Sequence, residues 1–535
     1  MNIIAFNTKI PGALSLGDDR QRSIPDNHYL KSHINRLVLF LILSLMLHGL
    51  SGPTVGADPL PTRQNHLIIG VGRDFFDGPD SRTYVHGSTN TWEALTYLDE
   101  SLRAGPWLAE SWKSDHGDRV WTFRLRQGVR FHDGSLMTAS DVVTSLERMK
   151  HHPRCDPAGI FRNVASIGVS GPNEVMIRLT ESSPAFPNHL AYYSSPVLKP
   201  STFDKDGRIR ELIGTGPYRV KRIQKGQSVF LARFDGYWGT QPAFPYVTFK
   251  TVLDAQARVM ALAAGEIDAI ADVGGILPEQ AQAVGRLKQV VLKQQEVATT
   301  HYLLFNTGRP VFSKPETRRW LAGRIDRIGL VETFAGKAGK PATDFYSPLA
   351  ADWRYGGLNP ASGSRPNRSD QAVIILVHSG TIHRWPYLEM AQVIQGQIQA
   401  DGFQAKIEVQ ETGAWQNTFR SGKWDLALQP NTLMTGDPDF FFSYYITSGS
   451  PYHLGYQNPE VDKWVQKARV AGDVKTRQEL YRRICDQMNL DLPILPLYHD
   501  ICLYAHGAKI DHFMMDHTFR VRLDLITPKE SRHGP

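Results

Sequence analysis

The chain has 535 residues, of which 41% are hydrophobic and 21% are charged, and its formal net charge is +7. This chain is several times longer than one that forms a single hydrophobic core, so we predict two or three domains. The positive excess is small and no basic run accompanies it, so the composition argues against a nucleic-acid partner.

The first 57 residues are typical of an export signal. Lys31 and Arg36 precede an apolar run over 37–50, which is too short to span a bilayer comfortably. Small residues at 55–57 fit a cleavage site. No cysteine lies near that site, which argues against a lipid-anchored form. We expect a soluble periplasmic protein that begins after Ala57, with an uncleaved membrane anchor as the alternative.

Three cysteines, Cys155, Cys485 and Cys502, are too few for a fold that depends on disulfides. A disulfide between Cys485 and Cys502 stays open as an alternative, because sequence separation says nothing about their Cα distance.

The mature chain is predicted to begin with a short apolar strand over 66–71. The following loop, 74–90, is rich in Gly, Asp and Ser and carries Tyr84. Residues 91–98 are then predicted to form a helix, because Trp92 and two leucines fall on adjoining turns.

The most informative stretch is 121–148, where the sequence predicts a strand, a turn and a helix in succession. Apolar and polar residues alternate over 121–126, as in a strand with one buried face. Gly134 supplies the conformational freedom of a tight turn. Thr138, followed three residues later by Asp141, predicts a capping box at the start of the helix.

Two segments suggest other chemistry. Residues 151–156 contain two histidines, a cysteine and an aspartate, but their spacing fits no standard zinc pattern, so we favour a polar loop. The Gly-Thr-Gly-Pro turn within 213–218 suggests a phosphate-binding loop. Such a loop needs a following helix, whereas 218–220 continues as a strand, so we favour a structural turn.

The rest of the chain alternates between strands and helices. Strands are predicted over 301–306, 372–377, 405–409, 424–428 and 492–498, and helices over 255–264, 387–399 and 477–488. The continuous apolar run over 372–377 is typical of a strand buried on both faces of an α/β sheet. Gly265 is predicted to end the first of these helices in a left-handed cap.

The stretch 121–148 resembles the signature of the peptide/nickel class of extracytoplasmic solute-binding proteins. The matching residues are Leu125, Arg126, Gly128, Val129, Phe131, Asp133, Gly134, Ala139, Asp141 and Val142. Further matches occur at 106–112, 213–218, 234–239, 255–269 and 436–439. The resemblance covers most of 92–500. In that family the signature stretch is scaffold and not ligand site.

The resemblance implies an α/β, two-lobed periplasmic-binding-protein fold of type II, similar to cluster C, with an extra subdomain in the first lobe and crossover strands as the hinge. The implied parts are an N-terminal extension with signal peptide over 1–57, lobe I over 58–302 with a subdomain over roughly 110–240, lobe II over 303–496 and a C-terminal return to lobe I over 497–535.

The resemblance also implies which segments border the ligand cleft. Candidate ligand-binding residues on them are Tyr84, Trp92, Tyr193, Ser194, Arg384, Trp385, Thr432, Met434, Asp437 and His453. Arg384 suits a ligand carboxylate because its planar guanidinium binds two oxygens at once. The alternatives are a surface role for Arg384, core packing for Trp92 and an ordinary polar role for His453.

At several of these positions the chain differs from the family that it resembles. Peptide binders of the family hold the ligand amine with an aspartate three residues before the Asp-Pro turn, and Met434 stands at that place here. Nickel-type relatives have an arginine in the segment 191–200, where this chain has Tyr193-Ser194-Ser195. His453 falls near a histidine of the nickel branch. The resemblance therefore leaves the ligand class open.

We expect a monomeric periplasmic protein that delivers a peptide-like or opine-like solute to the permease and ATPase subunits of an ABC importer. A nickel chelate is the alternative ligand, and a sensor that feeds a membrane receptor is the alternative role. The sequence has no metalloprotease, hydrolase or phosphate-loop motif, so we expect neither an enzyme nor a cofactor, and no metal site of the protein's own.

Overall fold

The computed structural model describes residues 61–73, 88–151, 159, 161–192, 195–206, 208–360, 362–366, 371–450, 452 and 454–529. The predicted export segment, 1–57, lies outside these ranges. Within them, no helix combines the length and the apolar character that crossing a membrane requires.

The regular elements of the described chain alternate between strands and helices. The strands are β1 (His66–Val71), β2 (Thr96–Leu98), β3 (Ala104–Pro106), β4 (Ala109–Asp115), β5 (Val120–Leu125), β6 (Val164–Gly171), β7 (Glu174–Leu179), β8 (Tyr218–Gln224), β9 (Ser228–Arg233), β10 (Tyr246–Thr251), β11 (Ala269–Ile270), β12 (Val290–Phe305), β13 (Gly339–Pro341), β14 (Val373–His378), β15 (Ala405–Gln410), β16 (Leu426–Thr432), β17 (Ile494–Gly507), β18 (Ile510–His512) and β19 (Thr527–Pro528). The α-helices are α1 (Ala139–His151), α2 (Phe186–Leu190), α3 (Ala255–Ala263), α4 (Ala281–Gly285), α5 (Pro315–Arg324), α6 (Arg327–Leu330), α7 (Ser379–Ile382), α8 (Tyr387–Ala400), α9 (Thr412–Arg420), α10 (Pro438–Tyr445), α11 (Pro459–Val470) and α12 (Val474–Asp491).

One mixed sheet runs through the molecule in the order β15-β14-β16-β12-β17-β11-β1-β10-β9-β8. β1 pairs in parallel with β10 and β11, and β14 pairs in parallel with β15 and β16. We call the part built on β11 to β8 lobe I and the part built on β16 to β15 lobe II. The predicted two-lobed α/β fold is confirmed, while the residue boundaries given for its lobes stay predictions.

The two lobes are joined by the long strands β12 and β17. They pair antiparallel from Val290 opposite Gly507 to Leu304 opposite Ile494, with an interruption between Glu296 and Thr300. Such an interruption bends a strand and loosens the ladder at that point. The crossover strands predicted from the sequence are therefore present and longer than predicted, and their ladder is interrupted between Glu296 and Thr300.

A second sheet, in the order β4-β5-β7-β6, packs against α1 within lobe I. The strand, turn and helix predicted over 121–148 are confirmed here. Gly134 has a φ of 85°. The backbone N–H of Thr138 donates to Asp141 Oδ2 at 2.9 Å, and the N–H of Asp141 donates back to Thr138 Oγ1 at 3.3 Å. The capping box satisfies two helix-terminal donors at once.

The helix predicted over 91–98 is wrong. Residues Thr96–Leu98 form β2 instead. The carbonyls ahead of β2 accept from another segment, because Leu108 N donates to Ala94 O at 3.4 Å and Ala109 N donates to Leu95 O at 2.9 Å. In a helix those carbonyls would accept from residues four positions later, so tertiary pairing overrides the helical spacing of the apolar side chains.

The same segment buries Glu93 completely. One carboxylate oxygen accepts from Trp107 Nε1 at 2.8 Å and from the Tyr237 hydroxyl at 3.0 Å. The other accepts from Thr215 Oγ1 at 2.8 Å and Trp238 Nε1 at 2.9 Å. Burial raises the pKa of Glu93 to about 7, and the four donors oppose that rise.

The Gly-Thr-Gly-Pro turn has a packing role. A Cβ on Gly214 would lie 2.1 Å from Thr91 O, and one on Gly216 would lie 2.6 Å from Asn90 O. Only glycine permits this approach of two backbones. Because β8 and not a helix follows the turn, the phosphate-binding alternative is wrong.

Cys485 and Cys502 are buried free thiols, so the disulfide alternative is wrong. Cys485 lies in α12 within the lobe II core, whereas Cys502 lies in β17 and its Sγ is 3.4 Å from the carbonyl oxygen of Asp272 in lobe I. Cys155 and most of the segment 151–156 lie outside the described residues.

Candidate ligand-binding cleft

A buried cluster occupies the middle of the crossover strands. The ring of His301 on β12 stacks on Tyr498 of β17 with centroids 4.0 Å apart. Its Nδ1 lies 2.6 Å from the hydroxyl of Tyr387 at the start of α8, and its Nε2 lies 3.5 Å from Asp500 Oδ2. Trp385 Nε1 also donates to Asp500, at 3.4 Å. Burial lowers the pKa of His301, so a neutral imidazole ties the start of α8 to the hinge.

An arginine cluster lies beside this hinge. Asp272 is fully buried and accepts from Nε of Arg73 at 2.8 and 3.0 Å. Arg258 is buried as well and donates to backbone carbonyls. Arg384, which comes from lobe II, feels the charges of Arg73, Asp272 and Arg258 together. Among the described residues, Asp272 thus forms an ion pair with Arg73 and also acts on Arg258 and Arg384.

Arg384 has no carboxylate partner within the described chain. Its Nε donates to Gly380 O at 3.3 Å, and its Cζ lies 4.4 Å above the ring of Trp385. Burial, followed by the charge of Arg73, lowers the pKa of the Arg384 guanidinium to about 10. An anion bound to Arg384 would offset both the burial of the guanidinium and its repulsion by Arg73, so the Arg384 guanidinium suits a ligand carboxylate.

A cavity of about 160 Å³ lies between the lobes and is lined mainly by aromatic rings. Its described lining residues are Tyr192, Pro430, Asn431, Thr432, Met434, Phe440, Tyr444, Tyr445, Tyr452 and Phe519. None of them carries a formal charge at neutral pH. The cavity therefore suits an apolar or aromatic part of a ligand, with Asn431 and the hydroxyl groups as its polar contacts.

The helix α10 and the residues that pack against it form much of the aromatic wall of this cavity. Phe440 and Tyr444 stand one helical turn apart and stack with centroids 5.8 Å apart, and Tyr452 packs against Tyr444 at 4.7 Å. Tyr192 of lobe I faces Phe440 at 6.0 Å, so the wall includes both lobes. Arg73 Cζ lies 5.4 Å from the centroid of Phe519, which connects the arginine cluster to the cavity.

The structure brings some of the predicted site residues together. Thr432 and Met434 line the cavity, with the Thr432 hydroxyl 2.7 Å from Thr299 Oγ1. Arg384 and Trp385 stand at the hinge beside the arginine cluster. Tyr84, Tyr193, Ser194 and His453 lie outside the described residues, and they stay predictions.

Trp92 and Asp437 lie in protein cores instead. Trp92 is 1% exposed inside lobe I. Asp437 is 3% exposed and accepts from Arg477 Nη2 at 2.8 Å, from the Tyr481 hydroxyl at 3.2 Å and from Asp439 N at 3.0 Å, which caps α10. Packing and a buried ion pair account for both side chains, so we leave them out of the proposed site.

Sequence reasoning missed the aromatic lining residues. Phe440 and Tyr444 were part of a recognisable aromatic run directly after the Gly-Asp-Pro-Asp turn, and their four-residue spacing could have indicated a shared helical face. Phe519 reaches the cavity from a backbone with a φ of 56°, which no local pattern indicates.

The comparisons with known proteins agree with this architecture. Residues 103–452 match the model of the bacterial extracellular solute-binding proteins, family 5. The chain belongs to this family.

Among its relatives, this family 5 protein is 26% identical to the glutathione-binding protein GsiB of Escherichia coli strain K12 over 489 residues, which cover 84% of this chain and 91% of that one. Two solved structures share its fold. DppA from Helicobacter pylori, in complex with the peptide STSA, has a TM-score of 0.74 and 21% identity, and the match covers 88% of this chain and 99% of that one. NikA from Brucella suis, in complex with Fe(III)-EDTA, has a TM-score of 0.76 and 22% identity, over 87% and 100%.

Membership establishes a solute-binding role outside the cytoplasm. The cleft of this family 5 protein is built accordingly, with an aromatic cavity between the lobes and cationic groups at the hinge. In the described chain, no three His, Cys, Asp or Glu side chains are placed to hold a metal ion.

Proposed function

We propose that this protein binds a small solute with at least one carboxylate, peptide-like or opine-like, and delivers it from the periplasm to the permease and ATPase of an ABC importer. Glutathione, a peptide and Fe(III)-EDTA, bound by the three proteins named above, all carry carboxylates. Because the carboxylate is the group that these ligands share, they support a carboxylate on the solute more strongly than they support any one of the three compounds as the solute.

The main support for this proposal is the environment of the Arg384 side chain. This side chain is a half-buried cation beside Arg73, it forms no ion pair with a carboxylate of the described chain, and the nearby Asp272 is already paired with Arg73. Burying an unpaired charge costs free energy, which a bound carboxylate would offset. Because Arg384 belongs to lobe II while Arg73 and Asp272 belong to lobe I, an anion bound here would also favour closure of the cleft.

The aromatic cavity supplies the second half of the proposed recognition. Its described walls are uncharged, so they fit a side chain or an apolar end of the solute and not an ionised group. A peptide-like or opine-like solute with a carboxylate at Arg384 and an aromatic or aliphatic portion near Phe440 satisfies both regions.

Native mass spectrometry of the protein purified from its own periplasm tests the proposal. We expect a bound molecule that is released on denaturation and that carries a carboxylate. Charge-assisted hydrogen bonds contribute about 1.5–3 kcal/mol, so Arg384→Ala should weaken binding of that molecule tenfold or more. Arg286→Ala, which removes an exposed arginine of lobe I, is the matched control and should bind normally.

Two results would contradict the proposal. A released molecule without any acidic group would remove the role of Arg384. A released nickel ion with an organic chelator would contradict the peptide-like or opine-like solute, support the alternative metal-chelate ligand and direct attention to His453, even if the chelator carries a carboxylate.

A further inference from the structure

A tight turn of lobe I reaches into lobe II beside the cleft. The turn spans 99–103, between β2 and β3, and Asp99 organises it. The Asp99 carboxylate accepts from the N–H groups of Ser101 and Arg103 at 2.8 and 2.9 Å. Leu102 adopts a φ of 59°, a conformation that leucine seldom takes, so the turn holds this side chain in a costly geometry.

Leu102 is buried although it sits at the tip of a surface turn. It is 1% exposed and belongs to an apolar cluster whose members lie mostly in lobe II, among them Leu433 and Phe441. A Cβ on Gly436 of lobe II would lie 2.0 Å from Leu102 O and 2.8 Å from Leu102 Cβ. Only a glycine at 436 therefore lets the two lobes approach this closely.

Polar contacts surround the inserted leucine. Asn188 of lobe I donates to Leu102 O at 2.9 Å and to Thr435 O of lobe II at 2.8 Å. Arg103 forms a two-pronged ion pair with Asp352 of lobe II, with both nitrogen–oxygen distances 2.7 Å. The same turn thus makes apolar, hydrogen-bonded and ionic contacts with the other lobe.

We propose that the turn 99–103 is a latch that holds the cleft closed and thereby sets ligand affinity from a distance. Opening the lobes exposes Leu102 and breaks the contacts of Asn188 and Arg103 with lobe II, so these contacts favour the closed state before any solute binds. A ligand that binds the closed state has an apparent Kd equal to its intrinsic Kd divided by the closed fraction. A latch that is tenfold weaker thus raises the apparent Kd up to about tenfold. This proposal does not depend on the identity of the solute.

Small-angle X-ray scattering tests the latch on the mature protein after unfolding, dialysis and refolding have removed bound solute. The decisive variant is Leu102→Asn, because asparagine tolerates the left-handed conformation of the turn while it removes the apolar contact. We expect a larger radius of gyration for Leu102→Asn than for the wild type, with unchanged circular dichroism. Leu136→Asn, which replaces a leucine that is 51% exposed, should scatter like the wild type.

A second variant decides the matter if Leu102→Asn fails to refold. Asp352→Asn removes the ion pair at a partly exposed position, so it should fold and shift the scattering in the same direction. The difference between this variant and the wild type should shrink in 1 M salt, which screens exposed ion pairs. A wild type that is already open without solute, or folded variants that scatter like the wild type, would overturn the latch. Neither result would bear on the carboxylate ligand, which is tested separately.

Discussion

Replacing Asp437 with alanine is expected to lower the free energy of unfolding by about 3–5 kcal/mol, because it leaves a buried charge without its partner. The partner is Arg477, which is 4% exposed and donates from Nη2 to both carboxylate oxygens at 2.9 and 2.8 Å. The substitution also removes the acceptor that caps α10, the helix that carries Phe440 and Tyr444. Urea unfolding of the variant and the wild type measures the difference.

Asp235→Ala provides the matched control. Asp235 also pairs with an arginine, Arg233, at 3.0 Å, but its carboxylate is 77% exposed. An exposed pair contributes about 0–1 kcal/mol, so this variant should unfold close to the wild type. Equal stability of the two variants would refute the structural role of Asp437. A stable Asp437→Ala variant that had lost solute binding would restore Asp437 as a ligand residue.

The pH dependence of stability should contain a contribution from Glu93 of about 3 kcal/mol. Burial raises the pKa of Glu93 from 4.5 to about 7 in the folded protein, so the folded state binds this proton more tightly than the unfolded chain. The resulting stabilisation is complete below about pH 4.5 and is lost as the pH rises through about 7.

The variant Glu93→Gln isolates that contribution. His132 and His499 act in the opposite direction, because burial lowers their pKa values to about 4 and the unfolded chain binds their protons first. The free energy of unfolding of the wild type, plotted against pH, therefore combines the contribution of Glu93 with opposite contributions from the two histidines. We expect the wild type to lose stability relative to Glu93→Gln between pH 5 and 8, as measured by urea unfolding across that range. The exposed Glu479→Gln variant should run parallel to the wild type. A Glu93→Gln curve that also runs parallel to the wild type would show that Glu93 ionises normally.

The elements that sequence analysis predicted correctly have strong local signals. The capping box of Thr138 and Asp141 and the turn at Gly134 depend on residues a few positions apart, which a sequence displays directly. The segment 91–98 has an equally clear helical spacing, yet it forms no helix and ends in the strand β2. Its backbone pairs with residues 108 and 109 and its Glu93 binds Tyr237, and no local pattern contains those partners.

The site was less predictable than the fold. Thr432 and Met434 were placed by their distance from the Asp-Pro turn, and both line the cavity. Asp437, the aspartate of that turn, lies in the core because Arg477, forty residues later, neutralises it there. Phe519 reaches the cavity through the C-terminal return of the chain, so only the assembled fold brings it to the lobe II wall.

A double-mutant cycle between Arg384 and the ligand carboxylate tests whether this arginine holds the solute. Calorimetry would compare the solute released from the native protein with its carboxyl methyl ester, each binding to the wild type and to Arg384→Ala. If Arg384 holds the carboxylate, esterification weakens binding to the wild type tenfold or more and leaves binding to Arg384→Ala nearly unchanged. Equal weakening in both proteins would place the carboxylate elsewhere and contradict a role for Arg384 in binding it.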